Sequence, residues 1–433
     1  MLPNAATAAA APASSLPPRC DVLVVGAGPA GSACAQVLAR AGLRVVLADQ
    51  HRFPRDKVCG DGLIPDAYAA LQRLGVLDEV LAQAQAVPHV RCVGPLGRHL
   101  DVPGRMAVLP RRALDHILCR AAQRAGAQLL APARFEAPLL DGGQVVGAQM
   151  KCELGDGSSV AHALHARWVV LATGAVPQAL AAAGLCERQT PSGVALRGYF
   201  RHQALRAQIT QLQLVWHPRM RGGYGWIFPA PDGLLNLGVG LTDSHSEGAE
   251  GKGRKHRAAQ GGNLRRMLQA FGEVYAPAGE LLARGTPVGE IKGAPLRCGL
   301  RGARWSRPGL LVTGEAAGST YAFSGEGIGK AMETGLLAAE ALLHEAALRP
   351  GVDPRALDSA VRQHYEATLR ALQPRFDVYQ TANHVNHRPW LADLVIWRAN
   401  RSPRILAKVQ GVLNETHTPR MFTVRGMWRL MFQ

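Results

Sequence analysis

Residues 22–31 decide the fold class, and they read Val22-Leu23-Val24-Val25-Gly26-Ala27-Gly28-Pro29-Ala30-Gly31. A short apolar run ends here in a Gly-x-Gly-x-x-Gly pattern, and an Ala- and Leu-rich segment follows through about Ala41. Gly42 ends the predicted helix, and Arg44–Ala48 forms a second apolar strand that ends at Asp49. A strand, a helix and a strand within about 30 residues predict one βαβ unit of a dinucleotide-binding domain.

Each position of this fingerprint has a physical role. Gly26 permits the tight turn, Gly28 lets the backbone approach a pyrophosphate, and Gly31 lets the helix pack on the strand. The start of the helix offers free N–H groups and a partial positive charge to the phosphates. Asp49 lies 18 positions after the third glycine, where its carboxylate can accept hydrogen bonds from ribose hydroxyls and repels a 2′-phosphate. The predicted cofactor-binding residues of this unit are Gly26, Gly28, Pro29, Ala30, Gly31 and Asp49.

A second glycine-rich block favours FAD over NAD. Gly314-Glu315-Ala316-Ala317-Gly318 follows an apolar strand, and Gly325-Glu326-Gly327-Ile328-Gly329 opens a long predicted helix. Such a helix start can bring N–H groups close to the isoalloxazine ring, where reduced flavin carries negative charge. Glu315 could reach a ribityl hydroxyl. This block adds Gly314, Glu315, Gly325, Gly327 and Ile328 to the predicted cofactor-binding residues.

Composition places the chain among ordinary globular proteins. It has 433 residues, of which 47% are hydrophobic and 19% charged, enough for two or three domains. The eight cysteines are scattered without a Cys-x-x-Cys pair or a Cys/His cluster, so we expect no metal site and a reducing, cytoplasmic environment. Residues 1–19 are Ala- and Pro-rich without a basic start or an apolar core, which indicates a disordered tail rather than a secretion signal.

The remaining pattern is a sheet-rich block inserted into an α/β frame. Hydrophobic periodicity predicts helices in 62–85, over 111–126 and from Glu326 to about Ala346, and a hairpin in 144–165 that turns at 155–157. Short apolar strands are predicted at Trp168–Ala172 and Leu310–Thr313 and four times between 192 and 241. Residues 250–262 indicate a mobile loop, and residues 352–433 are mainly helical.

Several of these segments resemble a known superfamily and, within it, a family. The fingerprint, Arg111-x-x-Leu114-Asp115-x-x-Leu118 and the Gly-Glu-Ala-Ala-Gly block resemble the FAD-dependent monooxygenase superfamily, the p-hydroxybenzoate hydroxylase-like flavoproteins. Three further segments are similar to the geranylgeranyl reductase family, and the resemblance runs from about residue 20 to the C-terminus. These segments are Phe53–Gly62, Tyr224–Pro229 (Tyr-x-Trp-x-Phe-Pro) and Ala294–Gly299.

The resemblance implies a fold and its division into domains. We expect a Rossmann-like α/β FAD-binding domain with an inserted antiparallel β-sheet substrate domain and a helical C-terminal region. The FAD-binding domain would be discontinuous. The expected boundaries are 20–85, 105–175 and 300–350 for FAD binding, 86–104 and 176–299 for substrate binding, and 351–433 for the helical region, behind the tail at 1–19.

The resemblance also assigns individual residues. In this family the segment matching Lys57, Cys59 and Gly60 lies near the flavin, and its cysteine is implicated in reduction. Cys59 is therefore the predicted catalytic residue, as a proton donor to carbon or a gate on the flavin. Arg111 matches the family's arginine beside FAD. By residue type alone, Cys59 could be a small buried thiol and Arg111 a surface cation.

Three aromatic residues form the predicted substrate-binding surface. Tyr224, Trp226 and Phe228 alternate along a strand, so their rings should project to one face of the sheet. Such a face suits an apolar, polyene-like ligand that makes few hydrogen bonds. An aromatic core stripe would give the same spacing, and only the resemblance favours the ligand.

Two departures from the superfamily pattern concern the electron donor. Ala172-Thr173-Gly174 stands where an Asp-Gly motif linked to flavin and NADPH contacts is usual, and Glu315 replaces the usual aspartate. No second Gly-x-Gly-x-x-Gly unit predicts a resident nicotinamide domain. The reductant could therefore be NADPH, NADH or a ferredoxin-type donor.

Together these features predict an FAD-dependent oxidoreductase that reduces carbon–carbon double bonds of a geranylgeranyl or related isoprenoid chain. One alternative is an FAD monooxygenase or oxidase of another apolar metabolite. Another is a non-catalytic, flavin-stabilised partner in a lipid or quinone pathway. The oligomeric state is left open by the sequence.

The net charge of +17 comes from 49 Lys and Arg against 32 Asp and Glu, and only seven of the cations are lysine. Part of this excess is a compositional bias of the whole chain. Cations and tryptophans also interleave between Arg388 and Gln433, and a second basic run spans Lys252–Arg266. No nucleic-acid-binding motif accompanies them, so we expect no nucleic-acid partner, and peripheral docking on an anionic membrane is the favoured interpretation.

Overall fold

The computed structural model describes residues 18–154, 157–242, 263–344, 354–413 and 415. Two mixed sheets and a set of helices make up these ranges. The strands are β1 (Arg19–Val25), β2 (Val45–Ala48), β3 (Gly62–Leu63), β4 (Gln85–Val93), β5 (His99–Val108), β6 (Gln128–Leu130), β7 (Ala133–Asp141), β8 (Gln144–Glu153), β9 (Ser159–Leu171), β10 (Gly193–Arg201), β11 (Leu212–Val215), β12 (Gly223–Pro229), β13 (Leu234–Thr242), β14 (Thr286–Leu296), β15 (Ser306–Arg307) and β16 (Leu310–Val312).

The helices are distributed along the whole chain. They are α1 (Pro29–Arg40), α2 (Pro65–Leu74), α3 (Leu77–Leu81), α4 (Arg111–Arg124), α5 (Gln178–Ala182), α6 (Gln203–Gln208), α7 (Leu264–Val274), α8 (Ala276–Arg284), α9 (Ile328–His344), α10 (Pro354–Ala382), α11 (His384–His387), α12 (Trp390–Ala399) and α13 (Pro403–Leu413). No helix in the described ranges has the length and apolar character needed to cross a membrane.

The first sheet is the predicted dinucleotide-binding frame. Its strand order is β15-β16-β9-β1-β2-β6, with β7 and β8 attached to β9, and the pairs from β16 to β6 are parallel. Parallel strands are buried on both faces, which explains why Val22–Val25 and Val45–Ala48 are continuous apolar runs. Helix α1 packs against α4 and α9 on one face. The expected Rossmann-like α/β fold with a second sheet is confirmed.

The second sheet has the order β14-β10-β13-β12-β11-β4-β5-β3. Most neighbours are antiparallel, but β11 pairs with β4 in parallel, with Leu212 opposite Val90. Helices α12 and α13 pack against β4 and β5. The second sheet therefore combines residues from the first and second quarters of the chain with later strands.

Several predicted boundaries move in the structure. Strand β5 continues to Val108, because it pairs with β4 on one edge and with Gly62–Leu63 on the other, so the second sheet exceeds the predicted segment 86–104. Arg19 already belongs to β1 and pairs with His165, so the predicted tail at 1–19 is too long. The strand predicted at Trp168–Ala172 is the end of β9, whose first half closes the predicted hairpin with β8.

Other predicted features lie partly or wholly outside the described residues. These are residues 1–17, two of the three turn residues at 155–157, the loop at 250–262, the end of the helix predicted to reach about Ala346, and most of the chain after Leu413. The helix predicted from Glu326 begins at Ile328. The left-handed backbone of Gly325, φ 69°, helps keep the residues before Ile328 out of the helix.

Candidate active site

A cavity of about 940 Å³ lies where the carboxyl ends of the first sheet's parallel strands face the second sheet. This edge is where open α/β sheets bind ligands. Most of the residues predicted from sequence line it, and they are Gly26, Gly28, Pro29, Ala30, Asp49, Lys57, Cys59, Gly60, Arg111, Tyr224, Trp226, Phe228, Glu315, Gly325, Gly327 and Ile328. Gly31 and Gly314 do not line the cavity and instead lie behind its wall.

The fingerprint glycines divide into two kinds. A methyl group added at Gly31 would lie 1.8 Å from the Gly26 carbonyl oxygen, and one at Gly26 would lie 2.3 Å from the Ala172 oxygen. These two glycines therefore serve close packing of backbone on backbone. A methyl group at Gly28 would meet nothing nearer than the Arg55 guanidinium at 3.6 Å. Gly28 thus leaves open space at the start of α1, as close approach of a pyrophosphate requires.

Two guanidinium groups converge on this opening. Arg111 donates from Nε and Nη2 to both oxygens of Asp115, at 2.7 and 2.9 Å, and Arg55 Nη1 lies 3.0 Å from the same carboxylate. Arg55 Nε also lies 3.7 Å from Asp49 Oδ1, so the two guanidinium groups are shared between two carboxylates, and both approach the position that a methyl group on Gly28 would take. The buried Nε of Arg55 also has no hydrogen-bond partner. The N–H donors of these guanidinium groups and the start of α1 fit the anionic diphosphate of FAD.

Asp49 has a structural contact that sequence reasoning missed. Its Oδ2 accepts a hydrogen bond from the Ala27 N–H at 2.8 Å, and its Oδ1 accepts one from the His51 N–H at 2.9 Å. The carboxylate therefore holds the glycine loop against the end of β2. Each oxygen keeps a second lone pair, with which it can accept a ribose hydroxyl.

The second glycine-rich block places Glu315 across the cavity. Its Oε1 accepts a hydrogen bond from the Thr320 hydroxyl at 3.2 Å, and its Oε2 lies 3.8 Å from Lys57 Nζ. A longer carboxylate than the usual aspartate is thus held between a hydroxyl and an ammonium. Its remaining lone pairs can accept a hydroxyl group of a ligand.

The segment around Cys59 is fixed by a buried polar network. Asp61 donates its N–H to Cys59 Sγ at 3.3 Å, while Asn236 Nδ2 donates to the Cys59 carbonyl at 2.9 Å and to Asp61 Oδ2 at 2.8 Å. The Tyr199 hydroxyl also donates to Asp61 Oδ2, and the Arg111 N–H donates to Asp61 Oδ1 at 3.3 Å. This network holds the thiol at the wall of the cavity.

Burial sets the protonation states in this network. It raises the pKa of the Cys59 thiol, and the negative charge of Asp61 raises it further against the opposing charge of Arg111. Cys59 is therefore a neutral thiol near pH 7. Burial also raises the pKa of Asp61 to about 6, against the opposing effects of Tyr199, Arg197 and Asn236. Asp61 is therefore mainly ionised at pH 7.

The three aromatic rings of β12 lie in a row along the cavity. Their centroids are 6.2 Å apart from Tyr224 to Trp226 and 6.4 Å apart from Trp226 to Phe228. The Tyr224 hydroxyl donates to the Ser324 carbonyl, and Trp226 Nε1 donates to Asn236 Oδ1 at 2.9 Å. Because the protein already bonds both polar atoms, the rings present apolar surface to a ligand.

The structure adds residues that the sequence predictions did not include. Arg55 and Asp61 belong to the segment Phe53–Gly62, and Asp115 belongs to the motif that begins at Arg111. The sequence shows their positions, but their contacts are evident only in the structure. The signal for Asn236 is a lone amide in the apolar run of β13. Within the described ranges, no group of three or more His, Cys, Asp or Glu side chains could hold a metal ion.

A sequence profile described as an FAD binding domain matches residues 19–212, which include the glycine fingerprint, the Cys59 segment and Arg111. The cradle of Gly28, Arg55 and Arg111 fits that cofactor. The chain is therefore an FAD-dependent oxidoreductase, and the predicted cofactor is confirmed.

Relatives identify the family, and a solved structure has a similar fold. The chain is 32% identical over 344 residues to a menaquinone reductase of Mycolicibacterium smegmatis, covering 74% of this chain and 76% of that protein. It is 30% identical over 323 residues to digeranylgeranylglycerophospholipid reductase 1 of Methanopyrus kandleri, covering 74% and 79%. Its fold is similar to a geranylgeranyl bacteriochlorophyll reductase-like protein of Thermoplasma acidophilum, with a TM-score of 0.66, 21% identity and 96% of each chain covered. The chain belongs to the geranylgeranyl reductase family, as its motifs predicted.

Proposed function

We propose that the protein saturates carbon–carbon double bonds of an isoprenoid chain, with Cys59 as the proton donor. The observation that carries the proposal is the continuity of the cavity. Its walls run from the charged cradle at Gly28 to the aromatic row on β12, and Cys59 lies on the same lining. An apolar chain on that row would lie beside both the thiol and the cofactor.

The residues of the cradle would hold FAD in a defined place. Arg55, Arg111 and the start of α1 would bind the diphosphate, while Asp49 and Glu315 would accept hydroxyl groups. Gly327 would let backbone N–H groups approach the ring. Bound and reduced FAD supplies the hydride for the reduction.

The aromatic row and the apolar residues around it would bind the chain. Leu212, Leu214 and Val90 line the cavity together with Tyr224, Trp226 and Phe228. Such a lining excludes water and offers contacts along the length of a polyene. The two relatives are named after menaquinone and digeranylgeranylglycerophospholipid. These lipids have different head groups but share an isoprenoid chain. We therefore propose isoprenoid chains as the substrate class.

Cys59 suits proton donation because it is a neutral thiol held by a fixed loop. Hydride addition to one alkene carbon leaves the other carbon to take a proton. The bonded Asn236 and Asp61 orient the backbone on both sides of the thiol. An isolated alkene is poorly polarised, so positioning of the thiol and the chain must contribute much of the rate.

The test is reduction of defined substrates by the purified holoenzyme. The protein is reduced without oxygen and incubated with menaquinone or with digeranylgeranylglyceryl phospholipid. NADPH, NADH and reduced ferredoxin are compared as electron donors. We expect products that have gained two hydrogens per double bond, detected by mass spectrometry. Oxygen uptake with a hydroxylated product would instead establish a monooxygenase, and reoxidation only by oxygen with both chains intact would overturn the proposal.

Substitution of Cys59 tests its role separately. We expect Cys59→Ala to lower kcat about 10²-fold or more, as removal of a general acid does, with KM changed little. Cys186→Ala, at another half-buried cysteine outside the cavity lining, is the matched control and should keep wild-type kcat. Wild-type kcat in Cys59→Ala would remove the thiol from the mechanism.

Peripheral docking on an anionic membrane is part of the proposal, because an isoprenoid lipid must enter from a bilayer. In the described C-terminal region Trp390 is 59% exposed, and Leu96 at the β4–β5 turn is 71% exposed. The Leu96 N–H donates to Asp393 Oδ1 at 3.2 Å, so both apolar side chains lie at the start of α12.

Vesicle flotation tests this docking. Wild-type protein should float with vesicles containing anionic lipid, and the double variant Leu96→Ser, Trp390→Ala should lower the bound fraction about fivefold or more. Leu140→Ser, at an exposed leucine on the β7–β8 hairpin, is the control. Flotation that does not depend on anionic lipid would contradict the docking.

A further inference from the structure

Glu326 is a carboxyl group of the cavity that takes no part in hydride transfer or in proton donation by Cys59. It lies in the loop before α9 and lines the cavity. Its Oε2 is buried and has no hydrogen-bond partner, whereas the backbone is fixed because the Tyr321 N–H donates to the Glu326 carbonyl at 2.9 Å. A buried, unbonded carboxylate oxygen is costly unless it carries a proton or meets a ligand.

A cluster of titratable side chains surrounds the first turn of α9, which begins two residues after Glu326. A methyl group on Gly329 in that turn would lie 2.2 Å from Asp66 Oδ2. Asp66 on α2 has a buried Oδ1 without a partner, and its Oδ2 lies 3.6 Å from Lys330 Nζ. Lys330 is almost fully buried and lies 2.5 Å from Glu333 Oε2 and 2.8 Å from Glu415 Oε2. Glu333 is 29% exposed and lies 3.5 Å from Arg375 Nη1. The cluster therefore connects the cavity side of α9 with solvent.

Protonation of these groups follows from their burial. Burial raises the pKa of Glu326 to about 8, and the negative charges of Asp66 and Glu415 raise it further against the opposing effects of Ser324 and Lys330. Burial raises the pKa of Asp66 to about 7 in the same way. Glu326 therefore holds its proton mainly near pH 7, whereas Asp66 is close to half protonated there. The titratable groups that face Glu326 are Asp66 on α2, Tyr224 on β12, Lys330 on α9, Tyr379 on α10, and Glu415.

We propose that Glu326 supplies the cavity with the proton that each reduction consumes, and that Asp66, Lys330 and Glu333 return a proton to it from solvent. This inference rests on the proposed function. Glu326, Tyr224 and Cys59 line the same cavity, and the Tyr224 hydroxyl donates to the carbonyl of Ser324, two residues before Glu326.

The proton balance of one cycle is simple. The π bond of the alkene breaks, one carbon forms a C–H bond with the hydride, and the other takes the proton of the Cys59 thiol. The thiolate is then reprotonated with the proton of Glu326, which lines the same cavity. The resulting carboxylate is reprotonated through the cluster, so one proton enters from solvent for each double bond reduced.

Glu326→Gln separates the first cycle from later ones. Enzyme reduced in advance should saturate its first double bond within about twofold of the wild-type rate, because Cys59 already carries a proton. With excess reductant, later cycles should slow about tenfold or more.

The pH dependence of the multiple-turnover rate gives a further test. The wild-type rate should be level below pH 8 and fall above it, as Glu326 loses its proton, and the variant should lack this fall. Glu340→Gln, an exposed carboxylate of the same helix bonded to Arg73, is the control.

A second readout needs no turnover. Infrared spectra of the resting holoenzyme should show the stretch of a protonated carboxylic acid, shifted in D₂O, lost in Glu326→Gln and titrating near pH 8. Asp66→Asn removes a group that returns the proton to Glu326. It should slow multiple turnovers to a similar extent, while the carboxylic acid stretch of Glu326 is retained. Unchanged turnover in both variants, or no lost band in Glu326→Gln, would overturn the inference alone. Wild-type enzyme that leaves every chain unreduced would overturn the proposed function and this inference together.

Discussion

Asp61 has a backbone in the left-handed region and a carboxylate that accepts several hydrogen bonds. It is fully buried, its φ is 66°, and its carboxylate accepts hydrogen bonds from Tyr199, Asn236 and the Arg111 N–H. A short polar side chain tolerates the left-handed region better than most residues do. The position therefore requires both the conformation and the acceptor, and it sets the path of the chain directly after Cys59.

We expect Asp61→Ala to lower the free energy of unfolding by about 2–4 kcal/mol, because several buried donors lose their acceptor. FAD retention should fall with it, since the Cys59 segment forms part of the cavity wall. Urea unfolding and flavin absorbance measure the two effects. Asp232→Ala is the matched control: Asp232 also has a positive φ, 58°, but is exposed in a turn. Equal losses in the two variants would show that only backbone strain matters.

Substitution of two fingerprint glycines should affect different properties, folding stability at Gly31 and FAD affinity at Gly28. Gly31→Ala should lower the free energy of unfolding by about 3 kcal/mol or more, because its methyl group would overlap the Gly26 carbonyl. Gly28→Ala should cost only about 1 kcal/mol as a poorer helix N-cap, yet weaken FAD binding about tenfold or more. Thermal unfolding of the flavin-free proteins and FAD titration separate the effects. Full FAD affinity in a stable Gly28→Ala variant would place the diphosphate elsewhere.

At the scale of the element, β12 and β13 act as one unit. Trp226 lies over Gly238, where a methyl group would come within 2.3 Å of the ring, and Trp226 Nε1 bonds to Asn236 on the same neighbouring strand. Strand β13 thus supplies both the space and the acceptor for the indole. Because Asn236 also donates to the Cys59 carbonyl, the aromatic row and the loop that carries Cys59 are held in a fixed relative position.

Phe228 is the member of this row that lies beside the loop that carries Cys59, since a methyl group on Gly60 would lie 3.1 Å from its ring. Phe228→Ala should raise KM for the isoprenoid substrate about tenfold, a loss of roughly 1.4 kcal/mol in binding, with kcat changed less than threefold. Phe228→Leu should recover part of the affinity. Steady-state kinetics with FAD content as control make the comparison. A fall in kcat at unchanged KM would instead assign the ring to positioning of the loop.

Sequence reasoning locates features whose signal is local, and the structure places the Cys59 segment and the β12 aromatics on one cavity, while their roles stay predictions. The βαβ unit, the segment around Cys59 and the alternation along β12 each lie within about 30 residues, where period and spacing carry the information. The parallel pairing of Leu212 with Val90 has no such signal, because its partners meet only in the folded chain. The same reason hid Asn236, whose partners belong to β12 and to the loop after β2. Glu326 belongs to the glycine-rich segment Gly325–Gly329, but only the three-dimensional structure shows that one of its carboxylate oxygens has no hydrogen-bond partner.

At the scale of the whole molecule, Asn386 joins three parts of the structure. Its Oδ1 accepts from Trp216 Nε1 at 2.7 Å, and its Nδ2 donates to the Phe323 carbonyl at 3.0 Å. The Gly222 N–H donates to its backbone carbonyl at 2.7 Å. One fully buried residue of α11 therefore connects the C-terminal helices, the second sheet and the loop that precedes Glu326.

We expect Asn386→Ala to lower the free energy of unfolding by about 3 kcal/mol and to loosen α12 and α13, because it leaves an indole N–H and a carbonyl group buried without partners. Asn400→Ala, which removes one exposed hydrogen bond to the His99 carbonyl, should cost about 1 kcal/mol or less. Denaturant unfolding and amide hydrogen exchange of residues 390–413 measure both effects. Similar losses in the two variants would remove the connecting role of Asn386.

The packing of α1 on α9 has a consequence for biosynthesis. A methyl group on Gly335 would lie 2.2 Å from the Ala30 carbonyl oxygen, so the two helices meet backbone to backbone beside the cofactor cradle. At about 5–20 residues per second, a ribosome makes residue 335 roughly 15–60 s after residue 30. The nascent N-terminal half must remain soluble without its partner helix during that interval. Because Ile328 and Ala331 of α9 line the same cavity as Gly28, we expect FAD to be retained only by chains that extend through this helix.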